Sequence, residues 1–372
     1  MASQSFILRS ELSSLKPYNV GLSLEDVADR AQGKPIAKLG SNENPYELPS
    51  SIRKSMENAL VSAAMYPDPI GRTLAHVIAE KWNCAPGQVV FGNGSEDILN
   101  ILARAILRPG DEVVTLYPSF PLHEDYATMM GATVNAIDLT ANHEIDIDAL
   151  IKAVARPVRM TVFANPMNPT GLWLDGDQLQ AVLAAQHPDS LLCLDEAYLE
   201  YALHGDADFR SGSDWLHSHD KPLILLRTFS KAYGLAGLRV GYGLTNNADI
   251  RRGLDLVRTP FNVNAAAQAG AIAALEHEQD IRPVLETVTQ ERMRVTKRLR
   301  AKGLTVLPSL GNFLFVDVKA PSIDIASQLI SEGVIIKPWK QQGYESWIRA
   351  SIGLESENTQ FLQALSKCLG CD

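Results

Sequence analysis

The 372-residue sequence has few cysteines, no long apolar run and no excess of positive charge, and each shortage excludes a class of protein. Four cysteines in a chain of this length do not indicate a disulfide-stabilised secreted protein, and they favour the reducing cytoplasm. No run of about 18 apolar residues suggests a transmembrane helix, and the N-terminus lacks the pattern of a signal peptide. The net charge of −9 disfavours nucleic acid and anionic membranes as partners.

The remaining composition is that of an ordinary globular protein. Hydrophobic residues make up 46% and charged residues 21%, and the length allows two domains or so. Cys368 and Cys371 have CxxC spacing, but no second pair and no histidine accompanies them, so we interpret them as part of a terminal tail. No metal site is expected.

Short β-branched and apolar runs alternate with helical segments through the middle of the chain. The strand-like runs are QVVF (88–91), EVVTL (112–116), TVNAI (133–137), RMTVF (159–163), LLCLDE (191–196), LILLRTF (223–229) and RVGYGL (239–244). Several are apolar without alternation, as in strands that helices cover on both faces. The pattern predicts an α/β fold with a mostly parallel seven-stranded sheet, whose ligands bind at the carboxyl ends of the strands.

The last hundred residues predict a second, smaller α+β domain. A helical segment over 265–302, divided at Pro283, precedes strands at 304–308, 312–318, 334–339 and 347–352 and helices at 322–332 and 356–369. We expect a large domain over 45–265 and a small domain over 266–372. Residues 1–44 would form an N-terminal arm and part of the small domain.

The segment GNGSED (92–97) follows a strand and opens a helix, which is where phosphate groups are often bound. Asp97 stands where a dinucleotide fingerprint needs glycine, so a nicotinamide dehydrogenase is disfavoured. The turn leaves the backbone amides of Gly94, Ser95 and Glu96 for a single phosphate. A helix start capped by Ser95 is the alternative interpretation.

The segment TFSKAYGLAGLRVGYG (228–243) places Lys231 just beyond an apolar strand. Such a lysine could form an imine with a carbonyl cofactor, while Ser230 and Arg239 bind its phosphate. Taken alone, Lys231 could also be an ordinary surface lysine. Two other strand ends favour the cofactor, because Asp195 could pair with a pyridinium nitrogen and Asn168 could donate to a phenolate oxygen. Each of these two also has a simple alternative, a helix cap for Asp195 and a turn for Asn168. Together they match the polar edges of pyridoxal phosphate.

The ordered motifs YPD (66–68), GNGSED, YPSF (117–120), NPMNPTG (165–171), DEAY (195–198), SKAYGLAGLRVGY (230–242) and WIRASIG (347–353) resemble one known family. It is the fold-type I, class II pyridoxal-phosphate-dependent aminotransferases, and the resemblance covers nearly the whole chain. It implies that Lys231 is the Schiff-base lysine and catalytic proton carrier, that Asp195 pairs with the pyridine nitrogen and that Tyr117 stacks on the ring. The other implied cofactor contacts are Gly94, Ser95, Glu96, Asn168, Tyr198, Ser230 and Arg239.

The same resemblance implies a substrate site and a dimer. Arg349 would clamp a substrate anion, Asn42 would border the substrate, and Tyr18 would lie near a substrate phosphate. Tyr66 matches a tyrosine that reaches the cofactor phosphate of a neighbouring subunit, so a homodimer is expected. Lys337 stands where family members commonly carry arginine, and lysine keeps the charge without the two-pronged fork. Lone tyrosines and an arginine on an alternating strand are also compatible with ordinary packing or surface roles.

The entry segment KLGSNENPYELP (38–49) resembles histidinol-phosphate aminotransferases in particular. That similarity implies transfer of an amino group from histidinol phosphate to 2-oxoglutarate, in histidine biosynthesis. An aminotransferase for phenylalanine or tyrosine is the alternative, because such enzymes have nearly the same motifs. A pyridoxal-phosphate-dependent decarboxylase also fits the cofactor set, although its lysine segment usually differs. A DNA-binding regulator is disfavoured, because the segment before residue 38 is short and weakly basic.

Overall fold

The computed structural model describes residues 7–19, 21–31 and 33–370. Cys371 therefore lies outside the described residues, while Cys368 is half-buried with a free thiol. Within the described ranges, no helix has both the length and the apolar content that a membrane crossing needs.

The strands and helices follow the alternation expected from the sequence. The strands are β1 Ala37–Lys38, β2 Val89–Gly92, β3 Glu112–Tyr117, β4 Thr133–Asp138, β5 Met160–Ala164, β6 Leu191–Asp195, β7 Leu223–Thr228, β8 Gly241–Thr245, β9 Thr305–Val306, β10 Phe313–Asp317, β11 Val334–Ile335, β12 Lys337–Pro338 and β13 Trp347–Ser351. The α-helices are α1 Glu25–Ala28, α2 Ser50–Leu60, α3 Arg72–Lys81, α4 Ser95–Ile106, α5 Pro121–Met129, α6 Ile147–Val154, α7 Gly176–Ala185, α8 Leu199–Gly205, α9 Ala248–Val257, α10 Ala265–Glu276, α11 Arg282–Ala301, α12 Ser322–Ser331 and α13 Glu355–Leu369. Short 3₁₀ turns occur at Ser10–Ser14, Pro86–Gln88, Gly212–Trp215, Ala236–Leu238 and Glu278–Ile281.

A seven-stranded sheet in the order β2-β8-β7-β6-β5-β3-β4 forms the centre of the larger part. The strands from β7 to β4 in this order run parallel, and β8 runs antiparallel to both of its neighbours. Both faces are buried, because Leu192 and Leu194 of β6 join one apolar cluster and Leu191 and Cys193 join the other. The expected fold class, a mostly parallel seven-stranded α/β sheet, is confirmed.

The parallel strands determine where the polar side chains meet. Strands β5, β6 and β7 end at Ala164, Asp195 and Thr228, and their carboxyl ends lie at one edge of the sheet. The segments with Asn168 and Lys231 follow directly from β5 and β7. Loops at this edge bind ligands in open α/β sheets, so the fold brings the candidate residues together.

The C-terminal part contains a second sheet, in the order β12-β13-β10-β9, which is antiparallel. The run VIIKPW was expected to form one strand, but it divides at Ile336 between two sheets. Its first half, β11, pairs with β1 of the N-terminal arm, whereas β12 pairs with β13. Pro283 lies in the first turn of α11 and separates it from α10, as expected.

The domain boundaries stay a prediction. The pairing of β1 with β11 is compatible with an N-terminal arm that belongs to the small domain. However, α10, which the expected boundary after residue 265 assigns to the small domain, packs against α2 of the larger part. The Ser55 hydroxyl donates to the Ala269 carbonyl at 3.2 Å, and Gly270 lies against Met56.

Candidate active site

A cavity of ≈ 570 Å³ opens at the carboxyl ends of β5, β6 and β7 and is closed on its other side by β12 and β13. It brings together most of the residues expected from the sequence. These are Tyr18, Asn42, Ser95, Glu96, Asn168, Asp195, Tyr198, Ser230, Lys231, Arg239, Lys337 and Arg349. Gly94 adjoins the cavity, whereas Tyr117 and Tyr66 do not line it.

Lys231 lies at the floor of this cavity, three residues beyond the end of β7. Its Nζ donates a hydrogen bond to the Ser41 carbonyl at 3.0 Å. Burial is the main cause that lowers the pKa of Lys231 to about 8, and the charge of Arg349 lowers it further. About a tenth of the amine is therefore neutral and nucleophilic at pH 7, far more than in a lysine with an unperturbed pKa. Lys231 is not the surface lysine that the alternative interpretation allowed.

Asp195 ends β6 and is buried close to Lys231 in the same cavity. Its Oδ1 accepts the backbone amide of Ala197 at 3.1 Å, and its Oδ2 lies 3.2 Å from His123 Nε2. His123 is buried on α5, behind the carboxylate. Sequence reasoning missed this histidine, because a single histidine in a helical run has no distinguishing spacing. The contact fixes the orientation of the carboxylate that would face a cofactor ring.

Two hydrogen-bond donors face the space between Lys231 and the small sheet. The Asn168 Oδ1 accepts from Arg349 at 2.7 Å, which leaves the Asn168 Nδ2 as the donor for a ligand. The Tyr198 hydroxyl accepts from Asn42 Nδ2 at 2.9 Å, so its own proton is also available. Burial raises the pKa of Tyr198 to about 12, which keeps the hydroxyl protonated at neutral pH.

The first turn of α4, Ser230 and Arg239 form an anion cradle at the other end of the cavity. Arg239 Nη1 lies 3.4 Å from the Ser230 hydroxyl, and the Ser95 and Glu96 amides lie in the first helical turn, where no carbonyl of the helix accepts them. The Gly94 amide donates to the Gly92 carbonyl at 2.8 Å in this structure, and its expected contact with a phosphate stays a prediction. The Glu96 carboxylate accepts from the Tyr126 hydroxyl, so Glu96 offers a ligand only its amide.

Arg349 and Lys337 form a basic pair at the small-sheet end of the cavity. Arg349 is buried, and its Nη2 donates to the Gly40 carbonyl at 2.7 Å while its Nε has no partner among the described residues. The alternative of a surface arginine is therefore wrong. Lys337 lies directly opposite Arg349 in the antiparallel ladder, and its Nζ donates to the Asn19 carbonyl. The Tyr18 ring lies 5.7 Å from Lys337 Nζ and contacts Phe120 edge to face.

Tyr117 requires a correction. It ends β3 with its side chain turned away from the cavity, because its hydroxyl donates to the Gln342 carbonyl at 2.9 Å and its ring contacts Tyr344. Phe120, at the N-terminus of α5, lines the cavity instead. The aromatic ring that could stack on a cofactor is therefore the last residue of YPSF, not the first. Both ends of the motif are aromatic, so the sequence alone did not distinguish them.

Tyr66 lies outside the cavity and is 82% exposed, with its ring stacked on Phe261 at 4.5 Å. In this position the Tyr66 side chain does not line the cavity of its own chain. Its expected contact with a neighbouring subunit stays a prediction.

The residues of the cavity fit pyridoxal phosphate in the chemistry of their donors and acceptors. A lysine with a lowered pKa, a buried carboxylate, two hydrogen-bond donors and an anion cradle lie at separate points around one space. The cradle leaves no room for a side chain at position 94, because a Cβ on Gly94 would lie 2.5 Å from Arg239 Nη2. Such a set can hold an aromatic aldehyde phosphate and remove a proton from an amino compound beside it.

Comparison with known proteins gives a consistent result. Residues 34–365 match the family described as aminotransferase class I and II. Histidinol-phosphate aminotransferase 1 of Mesorhizobium japonicum is 48% identical over 369 residues, which are 99% of this chain and 100% of that protein. Histidinol-phosphate aminotransferase 3 of Rhizobium meliloti is 45% identical over 99% of both chains. Among solved structures, histidinol-phosphate aminotransferase from Sinorhizobium meliloti, in complex with pyridoxal-5'-phosphate, superimposes with a TM-score of 0.89 at 27% identity, over 100% of this chain and 99% of that one.

Proposed function

Because the chain belongs to the aminotransferase class I and II family, we propose that it transfers the amino group of histidinol phosphate to 2-oxoglutarate. The expected enzyme class, a pyridoxal-phosphate-dependent aminotransferase, is confirmed. The substrate pair is supported by relatives of that name at 48% and 45% identity over nearly the whole chain. Synthesis of histidine is the corresponding role.

Pyridoxal phosphate, when bound, supplies an aldehyde for an amine and a ring that withdraws electrons from the bond to be broken. Ser95, Ser230 and Arg239 would hold its phosphate, and Phe120 would cover one face of its ring. Asn168 and Tyr198 would donate to the ring oxygen. These positions support the assignment, because their hydrogen bonds within the chain leave suitable donors free.

Lys231 carries the proton in this proposal. Its amine, with a pKa of about 8, is basic enough to take a proton from the α-carbon of the amino donor and acidic enough to return it. Asp195 would face the ring nitrogen of the bound cofactor and would hold a proton there, which would keep the ring electron-withdrawing. His123 holds the Asp195 carboxylate in place from behind.

The basic pair Lys337 and Arg349 is the structural feature that most supports histidinol phosphate as the substrate. Histidinol phosphate has a phosphate where an α-amino acid has a carboxylate, and 2-oxoglutarate has two carboxylates. Two cations side by side, with Arg349 Nε still without a partner among the described residues, suit a doubly charged anion. The same pair can then accept either substrate in turn.

A donor screen tests the proposal. The purified holoenzyme is mixed separately with histidinol phosphate, glutamate, phenylalanine and tyrosine, and the visible absorbance of its cofactor is followed. We expect histidinol phosphate and glutamate to bleach the band fastest. Preferential bleaching by phenylalanine and tyrosine would instead assign an aromatic aminotransferase, for which the Tyr18 and Phe120 rings beside Lys337 are suitable walls. Release of carbon dioxide would indicate a decarboxylase.

A homodimer and a cytoplasmic location belong to the same proposal. The exposed Tyr66 supports the dimer, because it lies outside the site of its own chain and matches a tyrosine that serves a neighbouring one. The location is supported by the small number of cysteines.

A further inference from the structure

Four side chains outside the cavity link the large-sheet part of the molecule to the small-sheet part. They lie near the end of the cavity that contains Lys337 and Arg349. We call this cluster the clasp; its members are Ser119, Glu124, Trp339 and Gln341. The first two belong to the loop and helix that follow β3, and the other two follow β12. Neither the cofactor nor the expected substrate contacts involve any of them.

Gln341 is the centre of the clasp. Its Oε1 accepts the Trp339 indole N–H at 2.8 Å and the Ser119 backbone amide at 3.2 Å. Its Nε2 donates to Glu124 Oε1 at 3.0 Å, and the same carboxylate oxygen accepts the Ser119 hydroxyl. One amide thus closes a ring of hydrogen bonds, and two of these bonds, from the Ser119 amide and to Glu124, join groups that are far apart in the sequence.

Each side of the clasp is next to a wall of the cavity. Ser119 precedes Phe120, whose ring lines the cofactor end, and Glu124 lies one residue after His123 on α5. Trp339 and Gln341 follow Lys337, which carries one charge of the basic pair. The separation between Phe120 and Lys337 is therefore set by bonds that converge on Gln341.

We propose that Gln341 is a positioning residue for the amino donor: it fixes the width of the slot between Phe120 and the basic pair, and so determines how well a donor anion reaches Lys337 and Arg349. This inference rests on the proposed aminotransferase function. A loosened clasp costs donor binding, because the anion must then also order the two walls. It leaves the cofactor cradle unchanged, because the cradle lies at the opposite end of the cavity.

The test exchanges the amide and the carboxylate. In Gln341→Glu, a second carboxylate faces Glu124 across about 3 Å and the two repel each other. In Glu124→Gln, the new amide oxygen can still accept both of its hydrogen bonds. In the double variant Glu124→Gln with Gln341→Glu, the introduced amide Nε2 can donate to the introduced carboxylate, which can still accept from the Trp339 indole and the Ser119 backbone amide, and the Ser119 hydroxyl then accepts from the amide instead of donating. Gln342→Glu is the matched control, because that side chain is exposed and only its backbone carbonyl accepts a hydrogen bond.

We expect Gln341→Glu to raise the KM of the amino donor by about tenfold with kcat within about twofold of wild type. The double variant should return to within about twofold of wild type, and the control should not change. Hydrogen exchange of the 117–124 peptide in the holoenzyme should be faster in Gln341→Glu, because repulsion from Glu124 turns the introduced carboxylate away from the Ser119 amide, and it should be restored in the double variant, where that repulsion is absent.

An unchanged KM in Gln341→Glu, or a raised KM that the double variant does not lower, would overturn the proposal. So would unchanged exchange of the 117–124 peptide. KM is measured with whichever donor the wild type turns over, and exchange needs no donor. Failure of histidinol phosphate as a substrate would therefore refute the proposed function and still leave the clasp testable.

Discussion

Lys337 and Arg349 are cross-strand neighbours in an antiparallel pair, with both charges facing the same cavity. Like charges placed directly opposite on a sheet destabilise it unless an anion lies between them. Burial lowers the pKa of Lys337 to about 8, and the charge of Arg349 contributes to the same direction. Repulsion between these two cations therefore destabilises the free enzyme, and a bound anion relieves that repulsion.

Removing one of these charges should stabilise the free fold. The unfolded chain keeps the Lys337 proton up to about pH 10.5, whereas the folded chain releases it near pH 8, so the unfolded state holds more protons between these values. The free energy of unfolding of the wild type should consequently rise with pH across that window relative to Lys337→Met. We expect the apoenzyme of Lys337→Met to be more stable at pH 7 in urea unfolding, with a difference that shrinks toward pH 10.5.

Inorganic phosphate provides the control for that experiment. At pH 7 it should stabilise the wild type more than Lys337→Met, because it binds the folded pair. Parallel pH profiles for the two proteins would contradict the role assigned to Lys337.

The apoenzyme should capture its cofactor as the Lys231 amine loses its proton. Because burial and Arg349 lower the pKa of Lys231 to about 8, the neutral amine appears near that pH and not near 10.5. The rate at which visible absorbance develops on adding pyridoxal phosphate should rise through about pH 8. Lys231→Ala should show no such rise and no turnover, while Lys297→Ala on the exposed face of α11 should behave as wild type. A midpoint near pH 10.5 would refute the interpretation.

His123 should affect catalysis through Asp195. Replacing it with phenylalanine removes the group 3.2 Å from Asp195 Oδ2 and leaves the carboxylate free to turn from the ring nitrogen. We expect His123→Phe to lower kcat by about tenfold and to speed cofactor loss, with His123→Asn intermediate. His76→Phe, on the exposed side of α3, is the control. An unaltered kcat in His123→Phe would show that the contact has no catalytic effect.

Phe120 and Tyr117 can be distinguished by cofactor affinity. Phe120→Leu removes the ring that lines the cavity, so the dissociation constant of pyridoxal phosphate should rise by about three- to tenfold. Tyr117→Phe removes only the hydrogen bond to the Gln342 carbonyl and should leave that constant nearly unchanged. Fluorescence titration of the apoenzymes measures both, and the reverse ranking would restore the assignment made from the sequence.

Tyr66 can be tested by subunit complementation. Neither Tyr66→Ala nor Lys231→Ala should be fully active alone, since each dimer lacks either the tyrosine or the lysine in both sites. In an equal mixture refolded together, half of the dimers are hybrid and each contains one intact site, so about a quarter of wild-type activity should return. No recovery, with hybrid dimers present by mass spectrometry, would show that Tyr66 does not act across an interface.

The sequence predicts the cofactor half of the site better than the rest, for a physical reason. Asp195 ends β6 and Lys231 follows β7, which are consecutive parallel strands. The carboxyl ends of such strands lie side by side regardless of the conformation of the loops. The phosphate cradle follows from a glycine turn before a helix. The main strands and helices of the large sheet were recognisable because their apolar runs are buried on both faces.

The contacts that the sequence did not reveal depend on how side chains turn within loops and short helices. His123 reaches Asp195 from α5, which packs against α4, β3 and β4, and no local pattern records that contact. Phe120 rather than Tyr117 enters the cavity because Tyr117 ends β3 with its hydroxyl bonded to the Gln342 carbonyl, whereas Phe120 lies at the N-terminus of α5. The division of VIIKPW between two sheets depends on β1, almost three hundred residues earlier, and is likewise invisible locally.

Two glycines at the anion cradle limit how the enzyme can be redesigned. A methyl group on Gly241 would lie 2.3 Å from the Ser95 nitrogen, and one on Gly94 would collide with the Arg239 guanidinium. Three segments that are distant along the chain make close backbone contacts there. Substitutions that introduce larger side chains at the cradle are therefore sterically excluded. New substrate preferences must instead be selected at the opposite wall, where the Lys337 and Tyr18 side chains can be exchanged while Arg349 still orients Asn168 toward the vitamin.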